Sequence, residues 1–573
     1  MTYTASIQKL PRKFLPEEFQ VTDWESLQPY FENLVQRSLD NPTDLESFLL
    51  DQSELESVVS EDACWRQIRM TCDTQNKELE ESFQHFCLNI QPKIQPYADQ
   101  LNRKLLDCPF INALDEMQYG VYFRNIRKRV ELFREENIPL QAEMAVLQQQ
   151  YGQISGAMTV EINGNVYTLQ QAAKFLENPD RSIRESVYHQ IQQRRGQDRE
   201  KLDTLFDQLL NIRNQEAKNA GTESYTAYRF QELGRFDYGE ADCMQFQEAV
   251  KQHVVPLVRE IHERKRQELG LDVLRPWDLE AEPAGQKPLH PFKNGAELLE
   301  KTIQCFQSLN PFFADCLVKM QQMGHLDLES RMGKAPGGYN CPLAESGAPF
   351  IFMNAAGQMH DVTTMVHEGG HAVHSFLAHP LTLAGFKEYP MEIAEVASMS
   401  MELFTMDHWQ PFFSDESDWK RARIHQLERV ITLFPWIAII DKFQHWLYAH
   451  PSHSTTERTE AWMNILEEYA DGVVDFSGLE KYRESAWQRQ LHLYEVPFYY
   501  IEYGIAQLGA IGMWMQYRQN KEAALENYCK ALALGGTVTL PELYRTAGLT
   551  FDFSPNTIET LMLFVKGELE ALG

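Results

Sequence analysis

The sequence has few basic residues for its length and no long apolar segment. Its 573 residues include 53 Lys and Arg against 82 Asp and Glu, which gives a formal net charge of −29. Binding to a nucleic-acid backbone needs clustered Lys and Arg, so we do not expect this function. The longest apolar run, at residues 433–440, is interrupted by Pro435 and is far too short to span a membrane. We therefore expect no membrane association.

Cysteine motifs typical of disulfide frameworks and zinc ribbons are also missing. The nine cysteines are odd in number, and none of them forms a C-x-x-C pair. This usage indicates reduced thiols with structural roles. The first residues contain no apolar stretch of the kind found in secretory signals. We expect a cytoplasmic protein that is a monomer or a weak homo-oligomer.

Helical periodicity dominates the chain and predicts a mostly α fold. Apolar residues recur at spacings of three and four over residues 24–60, 76–105 and 115–150, which favours long amphipathic helices. Asn163-Gly164 between β-branched runs predicts a short β-hairpin within residues 157–168. A chain break near residues 178–182 precedes a new helix, and the proline-rich residues 270–295 are predicted to form a loop.

A second non-helical zone covers residues 333–357. It begins with glycines and Pro336, and continues into a predicted strand at residues 348–353. This zone predicts a small sheet directly before a helix that starts near Asp361. The domain organisation that we expect is an N-terminal helical region over residues 1–200, including the hairpin, and a catalytic domain over residues 201–573.

The segment from His367 to His371 contains the motif H-E-x-x-H. On a helix, residues four apart project from the same face, so both imidazoles can reach one Zn²⁺. Glu368, between them, is placed to accept a proton from water at the metal. The alternative without a function is that both histidines are ordinary polar residues on a helix. A third protein ligand is what separates the two interpretations, because catalytic zinc sites use three.

A second predicted helix, starting near Pro390, offers that third ligand. Glu395 is the preferred candidate, and Glu392 is the alternative. Glu402 lies seven residues after Glu395 on nearly the same face, where it could hydrogen-bond a ligand imidazole. A solvent-exposed position or a salt bridge is the other interpretation of Glu402.

Two adjacent glycines inside the zinc helix also require a reason, since each costs about 1 kcal/mol relative to alanine. Gly369 and Gly370 make sense if a second backbone or a substrate comes close. Close approach of a second helix would help the short Glu395 side chain to reach the metal. His374 is on the same face but too far along the helix to share the metal, so we predict that it is packed or supports a ligand. His360 and His379 carry no signal of a function.

These residues resemble the oligoendopeptidase F group of the thimet oligopeptidase family of zinc metallopeptidases. The motif with Glu395 placed 24 residues after His371 carries the resemblance. Three further segments support it: residues 333–339, residues 349–354 and the His- and Tyr-rich residues 492–503. The resemblance covers nearly the whole chain. It implies a large helical ellipsoid with a deep substrate channel and short unfolded peptides as substrates.

The resemblance also implies roles for individual residues. His367, His371 and Glu395 would bind one zinc ion, and Glu368 would act as general base and acid. Tyr503 and His492 would stabilise the oxyanion, with Tyr500 as an alternative donor. The implied substrate-binding residues are Tyr499, Tyr500, Gly338 and Phe352. Independently of the family, strand 349–354 could bind any peptide by backbone hydrogen bonds along its edge, or it could be an ordinary buried strand.

The function predicted from the sequence is therefore zinc-dependent hydrolysis of internal bonds in short peptides. A carboxypeptidase or dipeptidyl carboxypeptidase on the same scaffold is one alternative. A catalytically silent peptide-binding protein is another.

Overall fold

The computed structural model describes residues 5, 9 and 11–573, and its N-terminal part is a set of helices followed by one hairpin. The helices and strands of this part are α1 Trp24–Gln36, α2 Pro42–Cys72, α3 Lys77–His85, α4 Gln91–Leu106, α5 Glu116–Leu132, α6 Asn137–Gly156, β1 Thr159–Ile162 and β2 Asn165–Thr168.

Each of the three long helices predicted for the N-terminal part is in fact two helices. α2 begins afresh at Pro42, where Asn41 caps the helix by accepting a hydrogen bond from the Asp44 N–H. A five-residue π-helical turn, Phe86–Ile90, separates α3 from α4. The third segment is divided between α5 and α6, and Pro139 occupies the first turn of α6. Apolar periodicity continues across these breaks, so it could not reveal them.

The predicted hairpin is confirmed. β1 and β2 pair antiparallel, with Ile162 opposite Asn165, and the turn residues Asn163 and Gly164 have φ angles of 53° and 79°. Both angles lie in the left-handed region, which is what a two-residue type I′ turn requires and what Asn-Gly tolerates best.

Helices again dominate the remainder of the chain, as predicted. These elements are α7 Leu169–Ala173, α8 Arg181–Gln197, α9 Arg199–Ala220, α10 Tyr225–Glu232, α11 Glu240–His253, α12 Val255–Glu268, α13 Gly295–Leu309, α14 Pro311–Met323, β3 Leu326–Glu329, β4 Tyr339–Cys341, β5 Phe350–Ala355, α15 Met359–Ala378, α16 Met391–Thr405, α17 Glu416–Ala449, α18 Thr455–Glu468, α19 Glu480–Arg483, α20 Leu491–Glu495, α21 Tyr500–Gln519, α22 Lys521–Leu532, α23 Leu540–Thr546 and α24 Pro555–Leu572. No described helix is both long and apolar enough to cross a membrane.

The predicted small sheet lies directly before α15 and has the strand order β3-β5-β4. β5 is parallel to β3 and antiparallel to β4, so both of its edges are already paired. The prediction that a substrate adds to the edge of residues 349–354 is therefore wrong. The strand at that end of the sheet is β4, which was not recognised because its three residues carry no periodic pattern.

The two helices that carry the H-E-x-x-H motif and Glu395 lie in the main hydrophobic core. This core extends from α6 to α24, whereas α1 to α5 enclose a second core of their own. α16 packs against α15 on one side and α21 on another, and every residue from Glu392 to Thr405 is buried. The division at residue 200 stays a prediction.

Candidate active site

The start of α15 is fixed by one carboxylate. Asp361 accepts hydrogen bonds of 2.8 Å from the backbone N–H groups of Ala356, Gly357 and Gln358, which otherwise have no helical partner. From this anchored start, the helix presents His367 and His371 one turn apart, with ring centroids separated by 4.9 Å.

The close approach expected at the glycine pair is confirmed. A Cβ atom on Gly370 would lie 2.6 Å from the Cα of Ser398 and 2.8 Å from the carbonyl oxygen of Ala397, both in the backbone of α16. A Cβ on Gly369 would lie 2.6 Å from the ring of Phe306. Gly370 is therefore needed for α16 to lie directly against α15, and Gly369 leaves room for Phe306 of α13.

This contact brings Glu395 to the two imidazoles. Its Oε2 lies 3.3 Å from Nε2 of His367 and 3.6 Å from Nε2 of His371. Ligand atoms at 2.0–2.1 Å from a tetrahedral zinc are separated by about 3.3 Å. The three side chains thus fit a single zinc ion, and their ligand atoms lie within 4.8 Å of one another.

Glu392, the alternative third ligand, faces a different environment. Its Oε1 accepts a hydrogen bond of 2.6 Å from the hydroxyl of Tyr238. Glu395 is the carboxylate that the fold places beside the imidazoles.

The contact predicted for Glu402 is present. Nδ1 of His367 lies 2.7 Å from Oε1 of Glu402, and Gln426 donates to Oε2 at 2.8 Å. Gln426 in turn accepts from the Thr363 hydroxyl at 3.2 Å. With Nδ1–H directed to a carboxylate, Nε2 of His367 is free to bind a metal. Gln426 was not predicted, because it lies on α17 and belongs to no motif.

Glu395 is held from its other side by a predicted substrate-binding residue. Tyr499 donates to Oε1 at 2.7 Å, and Ser398 donates to Oε2 at 3.0 Å. The Tyr499 hydroxyl is therefore engaged in orienting Glu395, and substrate binding by Tyr499 stays a prediction.

Glu368 has an oxygen free for proton transfer. Its Oε2 is buried and has no hydrogen-bond partner among the described residues, although a buried carboxylate oxygen normally has one. Burial raises the pKa of Glu368, and the charges of His367 and His371 oppose that rise. Such an oxygen, beside two metal-binding histidines, is suited to accept a proton.

Gly338 and Phe352 flank Glu368 in different ways. A Cβ on Gly338 would lie 3.3 Å from the carbonyl oxygen of Phe352 and 3.9 Å from Oε1 of Glu368, so this glycine keeps space open beside the carboxylate. The Phe352 side chain is fully buried and stacks on Tyr339 at 4.8 Å. It cannot touch a substrate, and the prediction for this side chain is wrong.

The aromatic segment predicted to lie over the site does so. His492 Nε2 lies 3.3 Å from the hydroxyl of Tyr503, and the Tyr500 ring centroid is 4.9 Å from that of His492. Burial raises the pKa of Tyr503 well above its usual value, and the nearby carboxylates of Glu395 and Glu368 add to the rise. Tyr503 is thus a protonated donor close to the two carboxylates.

Gln490 and Trp436 determine the tautomer of His492. The Trp436 indole N–H can only donate, and it does so to Oε1 of Gln490 at 2.9 Å. The Gln490 amide nitrogen must then face His492, whose Nδ1 it approaches to 2.7 Å. Burial lowers the pKa of His492 to about 4, so the ring is neutral and carries its proton on Nε2. Neither partner belongs to a recognisable motif.

The remaining histidines are placed as structural groups. His374 is completely buried and stacks on Tyr389 with a centroid distance of 3.7 Å, which confirms the prediction of a packed histidine. His360 accepts a hydrogen bond from Arg429 through Nδ1.

The described residues contain one other group with metal-binding atoms close together, namely Cys243, Asp441 and His445. All three are buried, and His445 lies 3.5 Å from Glu240 and 3.6 Å from Asp441. Gln247 also donates to Asp441 at 2.7 Å. The position of the His445 imidazole between the carboxylates of Glu240 and Asp441 is explained by ion pairing.

Solvent reaches the candidate metal ligands. The side chains of His367 and His371 remain 17% and 15% exposed. Protein surrounds more of the neighbouring aromatic segment, where burial raises the pKa of Tyr500 to about 12.

Comparison with known proteins identifies the family. Residues 174–563 match the model of peptidase family M3, and residues 14–133 match the model of the peptidase M3 N-terminal domain. The chain belongs to peptidase family M3. It is accordingly a metallopeptidase, as the arrangement of His367, Glu368, His371 and Glu395 suggests.

Relatives and solved structures agree along most of the chain. An oligoendopeptidase F homolog from Borreliella burgdorferi is 22% identical over 525 residues, which cover 88% of this chain and 87% of the relative. The structure of PZ peptidase A with inhibitor 2 is 26% identical, has a TM-score of 0.92 and covers 98% of this chain and 99% of that one. A structure described as an oligoendopeptidase F is 25% identical, with a TM-score of 0.90 and coverage of 97% and 98%.

Proposed function

We propose that the protein is a zinc-dependent oligoendopeptidase that hydrolyses internal bonds of short, unfolded peptides. The observation that carries the proposal is the pair of distances from Glu395 to His367 and His371, 3.3 and 3.6 Å, next to the unpartnered oxygen of Glu368. His367, His371 and Glu395 would hold one zinc ion per chain, with Glu402 supporting His367. When bound, zinc would acidify water and polarise the scissile carbonyl.

Glu368 performs the proton transfers in this mechanism. Its free Oε2 accepts the proton of the attacking water and then delivers it to the departing amine. The raised pKa of Glu368 supports both steps, because a carboxylate with a pKa closer to neutrality holds the proton long enough to pass it on.

Tyr503 and His492 stabilise the negative charge that develops on the carbonyl oxygen. Both carry a proton facing the cavity, on the phenol and on Nε2 respectively. One preorganised donor of this kind is worth about 3–4 kcal/mol of barrier height. Tyr500, with its ring centroid 5.4 Å from that of Tyr503, is the alternative donor.

The peptide is expected to bind along β4. This strand is at the edge of the sheet, follows Gly338 directly, and its Asn340 side chain donates to the Glu368 backbone carbonyl at 3.2 Å. Backbone hydrogen bonds to a strand edge do not depend on peptide sequence, so they suit a general oligopeptidase. The enclosure of the cavity favours short unfolded peptides over folded proteins, and we propose a cytoplasmic role in their breakdown.

The experiment is cleavage of an internally quenched peptide library by the purified protein, with Glu368→Gln alongside and zinc content measured for both. Internal cleavage by the wild type only, with equal zinc in the two proteins, supports the proposal. Release of C-terminal residues alone would favour a carboxypeptidase or dipeptidyl carboxypeptidase. Zinc-loaded wild type that binds the peptides without cutting them would instead indicate a peptide-binding protein.

Two further variants test the metal assignment. His371→Ala should lose the zinc, whereas Cys243→Ala should keep it, because Cys243 belongs to the buried ion-pair cluster. A zinc content of two per chain that falls to one in Cys243→Ala would contradict the single-site proposal.

A further inference from the structure

Three arginines near the catalytic residues have no acidic partner. Arg195 on α8, Arg429 on α17 and Arg489 before α20 form no ion pair within 4.0 Å in the part of the chain that the structure describes. The Nε atom of Arg195 is buried without any hydrogen-bond partner. This is unexpected in a chain where acidic residues outnumber basic ones by 82 to 53.

Arg489 is connected directly to the residues that hold His492. Its guanidinium carbon lies 4.3 Å from the centre of the Trp436 ring, in a cation–π contact. The same Trp436 donates to Gln490, which in turn contacts His492. Arg489 is therefore connected to His492 through two intervening side chains, those of Trp436 and Gln490.

Arg429 approaches the site from another direction. It donates to Nδ1 of His360, which lies on α15 seven residues before His367 and thus on nearly the same helix face. Tyr500 lies within the field of both arginines: burial raises its pKa to about 12, while the charges of Arg489 and Arg429 oppose the rise. Both guanidinium groups therefore lie near enough to Tyr500 for their charges to act on it.

Arg489 and Arg195 also repel each other. Burial and the charge of Arg489 together lower the pKa of Arg195 to about 10. The Arg489 side chain is solvent-exposed, and the protein around it lowers the pKa of its guanidinium group. The ionisable groups that influence Arg489 are Tyr500 and Tyr188, and no carboxylate is among them. Unpaired like charges facing a cavity are costly, and a bound anion would relieve that cost.

We propose that Arg489, assisted by Arg429 and Arg195, forms a subsite that binds a carboxylate of the peptide substrate. This inference rests on the proposed function and specifies which peptides are the preferred substrates. A guanidinium group donates two parallel N–H bonds to a carboxylate, and the one of Arg489 is already oriented by its contact with Trp436. The carboxylate is either the peptide C-terminus or an Asp or Glu side chain a few residues from the cut bond.

The test compares quenched peptides of one sequence that differ only in their carboxylates. The set contains a free C-terminal acid without Asp or Glu, its C-terminal amide, and amides carrying Glu or Gln at each position in turn. Wild type should cleave a carboxylate-bearing peptide with kcat/KM about 10- to 100-fold above its neutral partner. A drop on amidation assigns the subsite to the C-terminus, and a gain from Glu over Gln at one position assigns it to a side chain.

In Arg489→Gln the ratio of kcat/KM between the carboxylate-bearing and the neutral peptide should fall toward one. Arg489→Lys keeps the charge but loses the two parallel N–H donors, so it should retain an intermediate ratio. Arg545→Gln is the matched control, since its side chain is 76% exposed and it should keep the wild-type ratio. Arg429→Gln is a second variant if Arg489→Gln does not fold, and its ratio should fall as well.

A wild-type ratio near one, or an equal loss on both peptides in the variants, would overturn the subsite while leaving the oligopeptidase proposal intact. Absence of cleavage of every peptide by zinc-loaded wild type would instead refute the proposed function itself.

Discussion

Replacing Gly370 by alanine tests whether the contact between α15 and α16 sets the geometry of the metal site. The added methyl carbon would lie 2.6 Å from the Cα of Ser398, whereas ordinary contacts begin at 3.4 Å. The helices must therefore separate locally by about 0.8 Å, the difference between these distances, because the obstacle is backbone. Metal–ligand distances tolerate only about 0.2 Å, so Glu395 would be drawn out of bonding range.

Two opposing contributions determine the stability of this variant. Alanine is favoured over glycine in a helix by about 1 kcal/mol. Overpacking of a buried contact costs about 1–3 kcal/mol. We expect Gly370→Ala to be destabilised by up to about 2 kcal/mol overall and to bind zinc at least about tenfold more weakly.

The assay is zinc affinity by competition with a chelator, together with chemical unfolding of the metal-free protein. Gly567→Ala, in α24, is the matched control because its Cβ would meet no atom within 4 Å, so it should gain up to about 1 kcal/mol and keep its zinc affinity. If Gly370→Ala bound zinc as tightly as Gly567→Ala and unfolded at the same denaturant concentration, the close-approach argument would be refuted.

Three further predictions concern single side chains. Gln490→Leu should lower kcat, because Gln490 no longer favours the His492 tautomer with its proton on Nε2. The loss should be smaller than the roughly 10²-fold cost of removing an oxyanion donor, since that tautomer stays partly populated. An unchanged kcat would contradict this prediction. Glu402→Gln should weaken zinc binding by about 10- to 100-fold in a chelator competition, while peptide binding to the metal-free protein stays the same. Burial raises the pKa of Glu216 to about 7, so its neutral form contributes stability that is fully present below the unfolded pKa and lost as the pH rises through 7. Glu216→Gln should therefore be more stable than wild type above about pH 8, by up to about 3 kcal/mol, and no more stable below about pH 4 in urea unfolding.

Features that depend on neighbouring residues were predictable from the sequence. The hairpin follows from the left-handed conformation that Asn163 and Gly164 tolerate. The shared face of His367 and His371 follows from the helical repeat, and the same repeat relates Glu395 to Glu402. In each case one local rule determines the geometry without knowledge of the rest of the fold.

Features that depend on distant pairing were not predictable. The strand β5 is central and not at an edge because β3 pairs with it, and neither strand carries a signal of its partner. Gln426 contacts Glu402, and Trp436 contacts Gln490, only because α17 passes both residues in the folded chain. Hydrogen bonds of this kind join residues far apart in sequence, and single glutamines are too common to mark a site.

The burial of α16 connects the packing of the protein with its chemistry. Three carboxylates on this buried helix have separate partners: Tyr238 for Glu392, the two imidazoles for Glu395, and His367 with Gln426 for Glu402. A buried carboxylate without such partners costs several kcal/mol. Glu395 can reach its partners only because Gly370 on α15 lets the two helices touch. The helices can touch there only if those partners offset the cost of burying the Glu395 carboxylate. The packing that excludes water from this helix and the charge pairing that arranges the metal ligands are therefore mutually dependent, and a change in either one should be detected in both.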